Sequence, residues 1–233
     1  EKANFNVQDY VESDNYGRFV VEPLERGFGI TLGNALRRVL LSSLPGAAIH
    51  AVKITGAIHE FSAVDGVEED VTKIILQLKK LVFSIDHDDP VTMVIDVVGP
   101  ATVTGADIQC PSDVTMISND LVICHVAEGQ HFYMEMYAKN DRGYVSADQN
   151  KKEINTIGII PTDSIYSPIE KVAYSAEPTR VGESTKYDQL VLEITTNGSI
   201  KPHEALALAA KILVEHLNLF VELDDGHQYG CDV

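Results

Sequence analysis

The chain has 233 residues, enough for one domain or two with a substantial buried core. Its 35 Asp and Glu against 18 Lys and Arg give a formal charge of -17, which argues against gripping a phosphate backbone over a broad surface. A hydrophobic share of 45% without a run of membrane-spanning length is that of a soluble globular protein; no basic-then-apolar leader marks it for secretion, and three scattered cysteines (Cys110, Cys124, Cys231) fit a reducing cytoplasm.

Residues 1–16 are polar and weakly patterned, and are expected to fray or to add an edge strand. Residues 18–22 read as a strand that Pro23 stops. Gly27, Gly29 and Gly33 then punctuate the entry to a helix whose N-cap is read as Thr31 and whose end is marked by Pro45-Gly46. On a helical wheel Leu32, Ala35, Leu36 and Val39 fall on one side with Leu40 and Leu44 beside them. The opposite side carries Asn34, Arg37, Arg38 and Leu41. A leucine between two arginines on an outward face reads as a small docking patch, so the helix is expected to serve two partners, one per face.

Short β-prone runs follow at 49–55 and 57–61. A second helix is predicted over 67–81: Val67, Val71, Ile74, Ile75 and Leu78 make one apolar stripe, with Glu68, Glu69 and Asp70 in the first turn and Lys79 and Lys80 in the last. Strands are predicted at 82–85, 91–97, 114–117, 121–126 and 132–139, then a polar loop at 146–156. Further strands are predicted at 157–160, 169–175, 179–182 and 189–195. Thr196-Asn197-Gly198 is a turn.

The last helix is predicted from Pro202 to about Leu223. Its polar residues Glu204, Lys211, Glu215, Asn218 and Glu222 share a narrow strip. Leu206, Ala210, Leu213, Leu217 and Phe220 form one apolar seam, and Ala205, Leu208, Ile212 and Leu219 a second. A helix apolar over most of its girth must be buried on two sides. Either it is the central helix of one large core, or it is a subunit interface, most simply an isologous dimer. The β-rich middle of the chain offers no obvious partner helix except 67–81, which favours the dimer. Residues 226–233 read as a tail or the start of a linker.

The glycines at 27, 29 and 33 follow a strand and open a helix, which invites a phosphate-binding reading. No Lys-Ser/Thr follows them, however, and their spacing misses the dinucleotide fingerprint by one residue. Cys110, Cys124, His125 and His131 lack the paired spacing of a zinc site, and His125 reads as a satisfied core or edge histidine. Asp86-His87-Asp88-Asp89 reads as a solvated turn. No catalytic constellation is apparent, and no cofactor or metal is expected.

The run ERGFGITLGNALRRVLLSSLPG, residues 25–46, resembles the alpha-subunit family of bacterial RNA polymerases, in its N-terminal assembly domain. The resemblance extends in order from about residue 18 to 225. It passes through His59-Glu60-Phe61, Gly66-Val67-Glu68-Glu69-Asp70, Val122-Ile123-Cys124-His125, Arg142-Gly143-Tyr144-Val145 and Tyr166-Ser167-Pro168-Ile169-Glu170, and ends in the 202–223 helix. It implies an α+β fold of two subdomains. A discontinuous dimerisation subdomain (1–45 and 169–225) would combine an antiparallel sheet with two long helices, and a mostly-β subdomain (46–168) would be inserted into it.

By the same resemblance, Leu32, Leu36, Val39, Leu206, Leu213, Leu217 and Phe220 would form the homodimer interface. Arg38 and Leu41, with Arg26 and Arg37 nearby, would dock the beta subunit. Arg180 and the turn at Lys186 would meet the large subunits beta and beta-prime. The chain would thus be a cytoplasmic, non-catalytic assembly subunit of DNA-directed RNA polymerase. The competing reading is a nucleotide-binding protein or small-molecule enzyme using the Gly27–Gly33 loop. Two departures stand out. The loop at Asn150-Lys151-Lys152-Glu153 lacks the acidic run with which some relatives meet activators. The chain also stops near 233, where the family continues to a DNA-binding domain, so it is expected to be a fragment that does not itself hold DNA.

Overall fold

The computed structural model describes residues 4–7 and 15–223. The N-terminal pattern yields strands β1 (Asn4–Val7) and β2 (Tyr16–Glu25) and then helix α1 (Phe28–Ser42). The middle of the chain contributes β3 (Pro45–Ile54), α2 (Val71–Leu78), β4 (Phe83–Ile85), β5 (Val91–Val98) and β6 (Ala101–Thr104). It continues with β7 (Val114–Met116), β8 (Val122–Val126), β9 (His131–Arg142), β10 (Tyr144–Val145) and α3 (Ala147–Glu153). After β11 (Ile160–Pro161) and β12 (Ser164–Ile165) come the long strands β13 (Ile169–Val181) and β14 (Ser184–Thr196), and finally α4 (Pro202–Val221). The fold is α+β, with antiparallel pairing in every named ladder.

The chain divides into two units. One runs up to Leu44, resumes over Ile169–Thr196 and again from Ile200; the other holds Pro45–Pro168 with Asn197–Ser199. In the first unit a four-stranded sheet, in the order β1-β2-β14-β13, is covered on one face by α1 and α4. The inward residues of its long strands, Phe19, Leu190, Leu192 and Ile194, meet Leu40 of α1, Leu44 just after it, and Ala205 and Ala209 of α4. In the second unit the main sheet has the order β11-β3-β9-β5. Its buried row Phe132, Met134, Met136 and Ala138 follows the period-2 alternation of β9 and packs with Val71, Ile74, Ile75 and Leu78 of α2.

Several boundaries differ from the expectations. Helix α1 begins at Phe28, because Gly27 takes the N-cap position in the left-handed region at φ +94°; Thr31 lies inside, its N–H donating to the Gly27 carbonyl at 3.2 Å. Pro23 does not end β2. Glu22 and Pro23 together face Gln189 at a bulge, beyond the last pair of β1, so neither ladder needs the missing N–H. Pro178 lies within a single strand β13, tolerated because β13 is the sheet edge. Residues 57–61 are not a strand, and Pro45 begins β3 rather than closing a helix.

Helix α2 is shorter than expected. Asp70 caps it by accepting from the Lys73 N–H at 2.9 Å, which leaves Val67, Glu68 and Glu69 outside. The polar stretch after Val145 is helical, not a loop: Ser146 and Gln149 form a reciprocal capping box. Residues 226–233, with Cys231, lie outside the described residues.

Gly29 and Gly33 are buried helix positions. A Cβ at Gly33 would stand 2.5 Å from Tyr174 Cδ2 and 3.0 Å from Leu190 Cδ1. Gly33→Ala is therefore expected to lower the unfolding free energy by about 1–3 kcal/mol through overpacking, although Ala is the better helix former by up to about 1 kcal/mol. Urea unfolding monitored by helix circular dichroism measures it, and an unchanged or raised stability would refute the close-packing account.

Candidate subunit interface

The N-terminus of α1 is occupied from within the chain. The Gly27 N–H donates to Asp188 Oδ2 at 2.8 Å, and Asp188 is itself buried on β14. A helix N-terminus attracts an anion through its free N–H groups and dipole. Here the anion is the protein's own carboxylate. A Cβ at Gly29 would approach Ala176 Cβ at 2.9 Å and Asp188 Cβ at 3.2 Å. The three glycines thus form no open loop: Gly27 makes the turn, and Gly29 and Gly33 bring the helix against β13 and β14. The phosphate-binding reading of this stretch finds no support in that geometry.

Once α1 starts at Phe28, the apolar surface it leaves uncovered becomes clear. Phe28, Leu32, Ala35 and Val39 follow helical spacing; Phe28 is 50% exposed and Leu32 36%, while Leu36 and Val39 are half-buried against the first unit's core. In α4 burial divides the helix along its length rather than by seam. Ala205 and Ala209 are buried, with Leu206, Leu208 and Ile212 packed beside them. From Val214 onward the helix leaves this core behind. Leu217, Leu219 and Phe220 are exposed to between 58% and 70%, and Val214, Val221 and Leu223 are exposed as well. Leu213 is half-buried. Phe28 and Val214 were not anticipated as part of this surface; shifting the helix start to the left-handed Gly27 is the signal that adds the first, while Ile30, also exposed, falls on the side of α1 that carries Arg37.

The expected docking residues divide into two sets. Arg26, Arg180 and Lys186 are exposed, and each lies next to one cross-strand row, Thr179–Tyr187–Glu25, at the hairpin end of the sheet. Arg37 and Arg38 are exposed on α1; Arg37 Nε donates to the Val172 carbonyl at 3.3 Å, which ties that side chain to the edge strand β13. Leu41 does not stand free between the arginines. It is half-buried against the core of its own unit, because it follows Leu40 at the edge of the sheet-facing side.

In the second unit, His125 on β8 is paired. Its ring Nδ1 meets Glu69 Oε1 at 2.5 Å and its N–H donates to Glu69 Oε2 at 2.8 Å, while the Glu68 N–H donates to the His125 carbonyl at 3.0 Å. Glu68, Glu69 and His125 hold three potential metal-ligand atoms within 4.8 Å of one another, but both oxygens of Glu69 are taken up by His125. Cys124 is fully buried, and burial, aided by Glu69, pushes its thiol up to about 12. Cys110 places its sulfur 4.0 Å from that of Met93. His131 pairs with Asp96. The two cysteines and two histidines therefore do not share a site.

The bond from Glu69 raises the pKa of His125 against a smaller opposing effect of desolvation. For Glu69, burial pulls upward, but the hydrogen bonds from the His125 ring and N–H outweigh it, and the carboxyl ends below its ordinary value.

Residues 52–167 match the family described as RNA polymerase Rpb3/RpoA insert domain. The DNA-directed RNA polymerase subunit alpha of Leuconostoc mesenteroides is 56% identical over 220 residues, which span 94% of this chain and 70% of that protein. The DNA-directed RNA polymerase subunit alpha of Carboxydothermus hydrogenoformans is 54% identical over 225 residues, 97% of this chain and 71% of that protein.

The His125–Glu69 pair gives a pH dependence of definite sign. Its contribution to holding the 66–70 segment on β8 is whole while His125 is protonated and Glu69 ionised. It is lost as pH rises through the raised pKa of His125, and again as pH falls through the lowered pKa of Glu69. An NMR titration of the His125 ring is expected to show a midpoint above the ordinary value, returning toward it in Glu69→Gln. An identical midpoint in the two proteins would rule the latch out.

Proposed function

The chain belongs to the DNA-directed RNA polymerase alpha-subunit family, and from that premise we propose that it is a non-catalytic assembly subunit whose first unit forms a homodimer. The dimer would be a platform on which the large beta and beta-prime subunits gather, and nucleotidyl transfer would reside in the completed complex. The observation that carries the reading is the outer half of α4. Leu217, Leu219 and Phe220 stand in solvent on a helix whose inner half is well packed. Fully burying a Leu or Phe side chain is worth about 1.5–3 kcal/mol, so a row of them left exposed is a strong drive toward a partner surface. A second copy supplies the same row, which suits an isologous pairing about α4 with Leu32, Leu36 and Val39 of α1 at its flank.

The basic residues support a separate role for the outer side of this unit. In a chain of charge -17, the exposed Arg26, Arg180 and Lys186 beside one cross-strand row, with Arg37 and Arg38 along α1, offer a local positive surface. Such a surface steers encounter with an acidic patch and fixes orientation more than it adds affinity. We assign these residues to docking of the large subunits, with Arg38 and the exposed edge of Leu41 meeting beta.

Sedimentation velocity tests the dimer. The chain is expected to sediment as a dimer at micromolar concentration, and Leu217→Asp with Phe220→Asp to give a folded monomer. A monomer from the unmodified chain would overturn the assignment. For docking, Arg38→Ala is expected to leave the dimer intact and to weaken capture of purified beta; equal capture by the two proteins would remove Arg38 from the interface.

A further inference from the structure

One motif takes no part in the proposed subunit contacts, the turn Thr196-Asn197-Gly198 between β14 and α4. It holds the chain's only asparagine followed by glycine. Asparagine is a labile residue, because the backbone nitrogen of the next residue can attack its side-chain carbon. A following glycine has no Cβ to obstruct that approach. Gly198 stands at φ +94°, and Asn197, Gly198 and Ser199 are each half-buried, so water reaches the turn.

The turn also fixes the asparagine at both ends. The Asn197 N–H donates to the Pro168 carbonyl at 2.9 Å. Asn197 Oδ1 accepts twice, from the Ser199 N–H at 3.0 Å and from the Ser199 hydroxyl at 2.6 Å. An amide oxygen has two lone pairs, and Ser199 addresses both. Oδ1 is the atom on which negative charge develops when the neighbouring nitrogen attacks Cγ. Donors placed roughly 2.7–3.1 Å from such an oxygen make an oxyanion hole, and a hydroxyl among them can serve as general acid.

We propose that Asn197 is a site of spontaneous modification: the native turn promotes its closure to a succinimide, which opens to aspartate or isoaspartate. The Gly198 nitrogen bonds to Asn197 Cγ and gives up its proton to the side-chain amine; the Cγ–Nδ2 bond breaks and ammonia leaves. Water then cleaves one of the two imide C–N bonds. Cleavage at Cγ gives aspartate, and cleavage at the backbone carbonyl gives isoaspartate. The reaction is intramolecular and consumes only water. Aspartate keeps an oxygen for both Ser199 donors and adds a negative charge. Isoaspartate routes the main chain through Cβ and lengthens the turn by one bond before Pro202 opens α4. None of the residues assigned above to subunit contacts lies in the turn, so the site stands or falls apart from the assembly role.

The full chain is incubated for days at neutral pH and body temperature, either folded or unfolded in guanidinium chloride. Peptide mass spectrometry follows the conversion of amide to acid at each asparagine. Asn197 is expected to convert before any other asparagine, and about threefold or more faster in the folded chain than in the unfolded one, the share of one hydrogen bond to the developing oxyanion. Ser199→Ala, which removes the hydroxyl donor, is expected to slow the folded chain by a similar factor, with helix circular dichroism confirming its fold. A folded rate equal to or below the unfolded one would overturn the proposal, because the hydrogen bonds from Ser199 would then be holding Cγ away from the nitrogen. An unchanged rate in Ser199→Ala would overturn it as well. Should Ser199→Ala fail to fold, the ratio of folded to unfolded rates in the unmodified chain decides alone.

Discussion

The first unit depends on how closely α1 approaches its sheet. Gly29 and Gly33 stand where a single added carbon would collide with Ala176, Tyr174 and Leu190. At that separation the backbone of α1, not its side chains, meets β13 and β14 at the N-terminal end, and Leu40 and Leu44 fill the wider space at the other. The same approach brings the Gly27 N–H to Asp188, which fixes where the helix begins. Once the start and the rotation of α1 are set, Phe28 and Leu32 are left exposed, while Val39 packs against the edge of the core. Three glycines therefore determine which apolar residues are left for a partner.

The two units differ in how far they satisfy themselves. Among the described residues the second unit's core cluster has 25 buried apolar members, drawn from strands, α2 and intervening loops, and the first unit's has 11. The second unit also partners a buried polar cluster of its own: Asn150 donates to the Thr162 carbonyl and to Ser164 Oγ, while Thr162 and Ser164 donate to the Ile49 carbonyl. The first unit instead spends a twenty-residue helix on contacts made only by its inner half. Hydrophobic stabilisation scales with the apolar area removed from water, so the first unit leaves the outer half of α4 outside the area its own core removes.

What the sequence made legible was whatever had a local period. The alternation of β9 and the stripe of α2 each repeat at spacings that backbone geometry alone imposes, and each corresponds to a buried face. The two seams of α4 do not separate as faces: burial divides that helix along its length, Leu206, Leu208 and Ile212 packing on the core while Leu217, Leu219 and Phe220 stand exposed. Features decided by distant residues were not legible. Reading the N-cap at Thr31 left Gly29 outside the helix, and only the crowding from Ala176 at Gly29 and from Tyr174 and Leu190 at Gly33 reveals why glycine is needed at both. The strands predicted at 169–175 and 179–182 are one strand through Pro178, whose edge position the sequence does not show. The helix α3 was hidden by its polar composition, although Ser146 and Gln149 already spelled a capping box. Leu41 was misjudged for the opposite reason: the wheel placed it correctly beside the arginines but could not show that the sheet edge half covers it.

The glycine stretch also illustrates how electrostatics settles a choice that pattern leaves open. A strand, three glycines and a helix start are common to phosphate sites and to close-packed helix–sheet joints. What separates them is which anion the helix N-terminus holds. Asp188 reaches it because the register of β14 against β2 places Asp188 opposite Leu24, three residues before Gly27. A phosphate would have to displace a buried carboxylate already bonded to the Gly27 N–H, and would bring more negative charge to the same spot. The adjacent cations, Arg26 and Lys186, are both exposed at this end of the unit. With the helix N-terminus occupied internally by Asp188, the exposed Arg26 and Lys186 are not engaged in holding a small anion there.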